Sequence, residues 1–195
     1  MNFLEKVKTL IKTYDCEVRD RAVLYGVSET RPPLAKHIIF EPMPFDIMQN
    51  MVANYKLEFP QQLLAIYTAM NGADLFWTVC FVGKKKIRIP INCLSIYGIP
   101  LTYDREHIEP FNISIEDLNR PKGTPDNWLK FGSFYRPENL LSRFDLFVEV
   151  EQGGVFAIEH DADECCVTAT WDSIDTCLCY IFDLLLASKL QDESI

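Results

Sequence analysis

No apolar run in this sequence approaches the roughly 18 to 20 residues that a membrane-spanning helix requires. The longest candidate, Cys177 to Ala187, is short and carries Asp183. A secretory leader is missing too, because Met1-Asn2-Phe3-Leu4-Glu5-Lys6 brings charge in at once. Both absences lead us to expect a cytoplasmic protein with no membrane partner. There is also no disulfide framework. Seven cysteines is an odd count, and without a leader they read as reduced thiols. Positive charge is scarce: 19 basic residues face 28 acidic ones, for a net charge of -9. That balance excludes a binder that works by general attraction to phosphates, so no direct nucleic-acid partner is expected. Internal repeats, low-complexity stretches and coiled-coil heptads are absent.

Local catalytic signatures are equally scarce. There is no P-loop, no dinucleotide fingerprint, no G-x-S-x-G and no H-E-x-x-H. Cys165 and Cys166 are adjacent, so on a strand they point to opposite faces. Cys177 and Cys179 lie roughly 200° apart around a helix. Neither pair can chelate one metal, and small buried hydrophobes is the default reading. A cysteine nucleophile would need His37, His107 or His160 beside it in space. His160-Asp161-x-Asp163-Glu164 is dense in oxygen donors. Counted from Asp161, however, the EF-hand positions for glycine and glutamate hold Cys166 and Asp172. An Asp-rich turn is therefore expected there, with His160 a strand-end residue without a chemical task. We expect no cofactor, no metal and no catalysis. Trp77, Trp128 and Trp171 sit in or beside apolar runs, where core packing is the default.

What is present is an ordinary globular balance over 195 residues, 48% hydrophobic and 24% charged, the size of one domain. Phe3, Leu4, Val7, Leu10, Ile11 and Tyr14 recur at helical spacing, predicting a helix over residues 2–14. A short strand is expected over 21–27, before Arg31-Pro32-Pro33 breaks the pattern. Further helices are expected over 44–54 and after Pro60, the latter closing on Asn71-Gly72 as a left-handed C-cap. Strands are expected over 75–82 and 87–91, joined by a lysine-rich hairpin tip at 83–86. Residues 98–123 are irregular but apolar enough to pack. A new element starts at Trp128, and strands over 146–150, 155–159 and 165–170 form an antiparallel meander. A helix over 173–190 follows, capped by Asp172 or Ser173. This order predicts an α+β fold: a central, mostly antiparallel sheet flanked by N-terminal helices and one C-terminal helix.

The charge is uneven. From Glu138 to Asp183 there are eleven acids and one base, Arg143, so this segment carries -10 and the remainder +1. Such a face serves solubility, or attracts a basic partner and speeds encounter with it.

Phe59-Pro60 with Asn71-Gly72, Leu94-x-Ile96-Tyr97-Gly98 with Trp128-Leu129-x-Phe131-Gly132, and Gly153-Gly154-Val155-Phe156 with Trp171 stand in an order that resembles the SUKH superfamily. Phe59-Pro60 opens an amphipathic stretch closing on Asn71-Gly72. Leu94-x-Ile96-Tyr97-Gly98, Asn119-Arg120 and Trp128-Leu129-x-Phe131-Gly132 are similar to the family's middle section. Leu146 to Val150, Gly153-Gly154-Val155-Phe156 and Trp171 with Ser173 are similar to its closing strands and helix. The resemblance covers about Met43 to Leu186, leaving one domain over 1–195 with residues 1–40 as an N-terminal extension.

The resemblance implies a non-enzymatic, cytoplasmic immunity protein. Such a protein neutralises a cognate polymorphic or contact-dependent toxin by stoichiometric occlusion. The alternative it implies is a regulatory scaffold or protein-interaction hub. The partner would be a protein toxin domain, a basic nuclease among the candidates, whose positive site an acidic surface can block by mimicking its polyanionic substrate. On that reading the partner-binding residues are acids at strand ends and turns: Glu149, Glu151, Asp161, Asp163 and Glu164.

Overall fold

The computed structural model describes residues 1–27, 35–54, 60–82, 87–98, 120–160 and 162–188. The lysine tip at 83–86 and most of the irregular middle lie outside these. Helix α1 is Phe3–Ile11. Asn2 Oδ1 accepts the Glu5 N–H at 2.9 Å, while Glu5 Oε2 accepts the Asn2 N–H at 3.1 Å. This reciprocal capping box fixes where the helix starts. Strands β1 (Cys16–Arg19), β2 (Ala22–Val27) and β3 (Ala35–Phe40) follow. Helices α2 (Phe45–Asn54) and α3 (Gln61–Ala69) come next, then β4 (Ala73–Val82) and β5 (Ile87–Ile96). The chain closes with β6 (Trp128–Arg136), β7 (Asn139–Glu149), β8 (Val155–Glu159), β9 (Val167–Trp171) and α4 (Ile174–Ala187).

Among the described residues, nine strands form one sheet in sequence order, β1 to β9, every neighbouring pair antiparallel. The fold is α+β, as expected. The meander expected for the last three strands extends across the whole sheet. Residues 16–40, read from sequence as part of an extension, supply its first three strands.

Directly opposed residues in antiparallel strands share a face. One face carries the row Leu75, Leu94, Phe134 and Phe144, with Ala73, Ile96, Leu146 and Ala157 beside it. These residues belong to the main core with Phe3 and Val7 of α1, Leu63, Ile66 and Tyr67 of α3, and the apolar stripe of α4. Phe182 of α4 meets Phe3 and Phe76 edge-on, with centroids 6.1 and 5.2 Å apart. Ser173 caps α4, its Oγ accepting the Thr176 N–H at 3.1 Å. Asp175 then accepts the Phe3 N–H at 2.8 Å, tying the starts of α1 and α4 together. The opposite face carries Asp74, Ser95, Ser133 and Asp145 in one cross-strand row, all buried.

The Asn71-Gly72 pair differs from its expected role. Helix α3 stops at Ala69, and its C-cap, Met70, is already extended. The left-handed residue is Gly72, at φ 95°, next to strand β5. A Cβ at Gly72 would meet the Ile96 carbonyl oxygen at 2.6 Å, and one at Gly98 would meet the Asn71 carbonyl oxygen at 2.0 Å. Both glycines thus serve a close backbone approach that joins the start of β4 to the end of β5.

Candidate protein-binding surface

The acidic segment occupies the β7–β8–β9 end of the sheet and the outer face of α4. Glu149 ends β7 half-buried, its Oε1 accepting from Asn127 Nδ2 at 3.3 Å. Glu151 is exposed in the turn to β8, where the Gly153 N–H donates to the Glu149 carbonyl and Gly153 takes φ 77°. Asp163 and Glu164 are exposed in the connection from β8 to β9. Their backbone is fixed against residue 122: the Lys122 N–H donates to the Asp163 carbonyl at 3.0 Å, and the Cys165 N–H to the Lys122 carbonyl at 2.8 Å. Asp161 lies outside the described residues. The four described carboxylates therefore do not form one cluster. Glu149 and Glu151 flank one end of β8, while Asp163 and Glu164 follow its other end, and the five-residue strand is roughly 16 Å long.

Other exposed acids extend the surface, Glu138, Glu159, Asp172 and Asp175, while Asp183 is paired with Lys6. Arg143, the segment's single base, is turned inward. Its Nη2 donates to the Tyr97 hydroxyl at 2.6 Å, and its Nε lies 3.9 Å from Asp145 Oδ1. It therefore offsets little of the outward negative potential. Apolar groups lie among the acids. Val167 is 43% exposed and Tyr180 55% exposed, with the Trp171 and Tyr180 rings 5.9 Å apart. Exposed aromatics rimmed by charge are the composition of a protein-binding anchor. Trp77, Trp128 and Trp171 are all half-buried, and Trp171 packs against the edge of the main core, as expected from sequence. Trp128 stacks on Phe156 at 4.0 Å, and Arg120 Nη2 donates to the Pro125 and Trp128 carbonyls at 2.7 Å, holding the entry to β6.

Beneath this surface lies a charge cluster that motif and charge reading missed. Asp145 is 4% exposed, and Lys130 is 9% exposed. Asp145 Oδ2 is 2.8 Å from Lys130 Nζ and 2.9 Å from His160 Nδ1. His160, expected from sequence to be a strand-end residue without a chemical task, has a structural one: it ties the start of the β8–β9 connection to β7. The available signal was a charge inside each apolar run, Lys130 between Leu129 and Phe131 and Asp145 between Phe144 and Leu146.

Three thiols, Cys93, Cys177 and Cys179, are poorly suited to nucleophilic work. Burial pushes the Cys93 thiol up to about 12 and the Cys177 thiol higher still. Cys179 is also raised, first by burial and then by Asp175. Thiolate is the reactive form, so these groups are quiet at neutral pH. In native protein treated with iodoacetamide at neutral pH, exposed Cys16 and Cys166 should react at ordinary rates. Cys93 and Cys177 should stay unmodified until unfolding. Fast, selective labelling of one thiol, read by peptide mass spectrometry, would instead indicate an activated nucleophile. No group of three or more His, Cys, Asp or Glu side chains among the described residues is placed to hold a metal ion. No described helix is long and apolar enough to cross a membrane.

No family model matches the sequence, and neither a curated protein nor a solved structure matches it at a significant level. The resemblance to the SUKH superfamily rests on the motifs alone.

Proposed function

We propose that this chain is a cytoplasmic immunity protein that binds a cationic toxin domain and blocks it by occlusion, without catalysis. The observation that carries the reading is the run of exposed carboxylates on β7 to α4, whose only segment base, Arg143, faces inward. Such a surface attracts a basic active site at long range and competes with its polyanionic substrate. The buried thiols and the interior position of the Lys130–Asp145 pair fit a protein that works by its surface.

The test is charge reversal. A variant with Glu151→Lys, Asp163→Lys and Glu164→Lys changes three exposed side chains. Against the toxin-like C-terminal domain encoded beside the gene, association at low salt should slow by roughly tenfold or more, with a shallower dependence on ionic strength. Stopped-flow association at several salt concentrations checks this. An unchanged rate and an unchanged salt slope would remove charge mimicry from the account.

A further inference from the structure

We infer that the outer edge of β9 is a docking site for an extended, lysine- or arginine-bearing strand of the partner, which adds to the sheet as a tenth strand. This inference rests on the proposed neutralising function and identifies where on the acidic surface the partner engages.

Among the described residues the sheet has two edges, β1 and β9, and they are built differently. Strand β1 carries charge within its short length, with Arg19 Nε 2.8 Å from Glu17 Oε1. In-strand charge of this kind blunts an edge against further pairing. Strand β9 reads Val167-Thr168-Ala169-Thr170-Trp171, with no charge and no proline. Val167, Thr168 and Thr170 are all exposed.

The hydrogen-bond parity shows which groups point outward. The His160 N–H donates to the Arg143 carbonyl and the Glu149 N–H to the Gly154 carbonyl. Alternation along an antiparallel ladder then gives the even-numbered residues of β8 to β7, and Val155 and Ala157 to β9. Their partners are Trp171 and Ala169. The N–H and C=O of Thr170 therefore point away from the sheet, and a register shift at Ala157/Ile158 leaves those of Val167 outward as well. Among the described residues, no strand faces them.

Charge selects the occupant. Asp163 and Glu164 precede the edge, Asp172 follows it, and all three are exposed. A second copy of this chain would bring the same acids against them. A cationic strand gains main-chain bonds from the edge and attraction from its flanks, the combination that gives strand addition both affinity and selectivity.

The probe is an eight-residue peptide alternating lysine and valine, with a glutamate-for-lysine counterpart as control. Amide hydrogen exchange of the full chain should slow at Thr170 and Val167 by roughly tenfold or more at saturating lysine peptide. The counterpart should leave both amides unchanged. Thr170→Pro removes the outward donor while sparing the bonds to β8 and should abolish peptide binding. Thr170→Val keeps the donor and should bind as wild type. Circular dichroism establishes that both variants are folded. If the proline variant is not, the wild-type exchange measurement decides alone. Unchanged exchange, equal protection by the glutamate peptide, or wild-type affinity in folded Thr170→Pro would overturn the proposal. The neutralising function fails separately, in binding of wild-type chain to the toxin domain.

Discussion

Replacing Asp145 by alanine should destabilise the fold by about 3–5 kcal/mol, a large part of a typical domain's stability. The carboxylate is buried between Lys130 Nζ at 2.8 Å and His160 Nδ1 at 2.9 Å. Removing it takes the 2.8 Å carboxylate away from the Lys130 ammonium in a poorly solvated site. It also removes the side-chain tie from His160 to β7, leaving the backbone bond from the His160 N–H to the Arg143 carbonyl. Replacing both charges, with Lys130→Met and Asp145→Leu, should be far milder than the sum of the single changes. A buried ion pair returns little net stability over apolar side chains of similar volume. Urea denaturation of the four-protein cycle measures this. A double variant as unstable as the sum of the singles would show that the two charges act independently.

The second large effect is on pH. His37 is 2% exposed, and its ring lies 5.1 Å from the Tyr14 ring and 5.2 Å from that of Phe76. Its Nδ1 accepts the Phe76 N–H at 3.2 Å, which steadies a left-handed residue, Phe76 at φ 59°. A proton on Nδ1 would face that donor. Burial, reinforced by Lys36, holds the His37 imidazole down at about 4, against an ordinary 6.5. The unfolded chain therefore binds the extra proton first as pH falls. The contribution is complete above pH 6.5, declines below it and is gone near pH 4. It amounts to about 3 kcal/mol over the whole window, and about 2 kcal/mol between pH 7.5 and 5. The narrower range avoids most carboxylate titration. Urea midpoints at the two pH values should show this loss in wild type and much less of it in His37→Gln. Equal losses in both would assign the pH dependence to other groups.

Much of the fold was legible because it is coded locally. The apolar stripe Ile174, Leu178, Ile181, Phe182 and Leu185 announced α4, and all five are buried. Strand β1 escaped because Cys16–Arg19 is too short and exposed to show alternation. Strand β3 follows the proline break and has no clean period-two pattern, since Ile38 and Ile39 are both half-buried. Strand β7 begins at Asn139, well before the apolar run that marked it, because pairing with β6 continues through Arg143 and Asn139. The acids of the proposed binding surface were legible from charge alone. Their division between the two ends of β8 was not, because strand order and register are set by long-range pairing. The same reason hid the Lys130–Asp145–His160 cluster, whose members meet only when β6, β7 and β8 align.

The central claim, that an acidic surface on the β7–α4 end receives a cationic toxin domain, is tested most directly by a titration. The few thousand bases flanking the gene are sequenced, and the variable C-terminal domain of any large secreted protein found there is purified. Calorimetric titration of that domain with wild-type chain should give one-to-one binding that weakens steeply as salt rises and abolishes the domain's activity. Neighbouring genes without such a protein, or a purified domain that neither binds nor loses activity, would contradict the account.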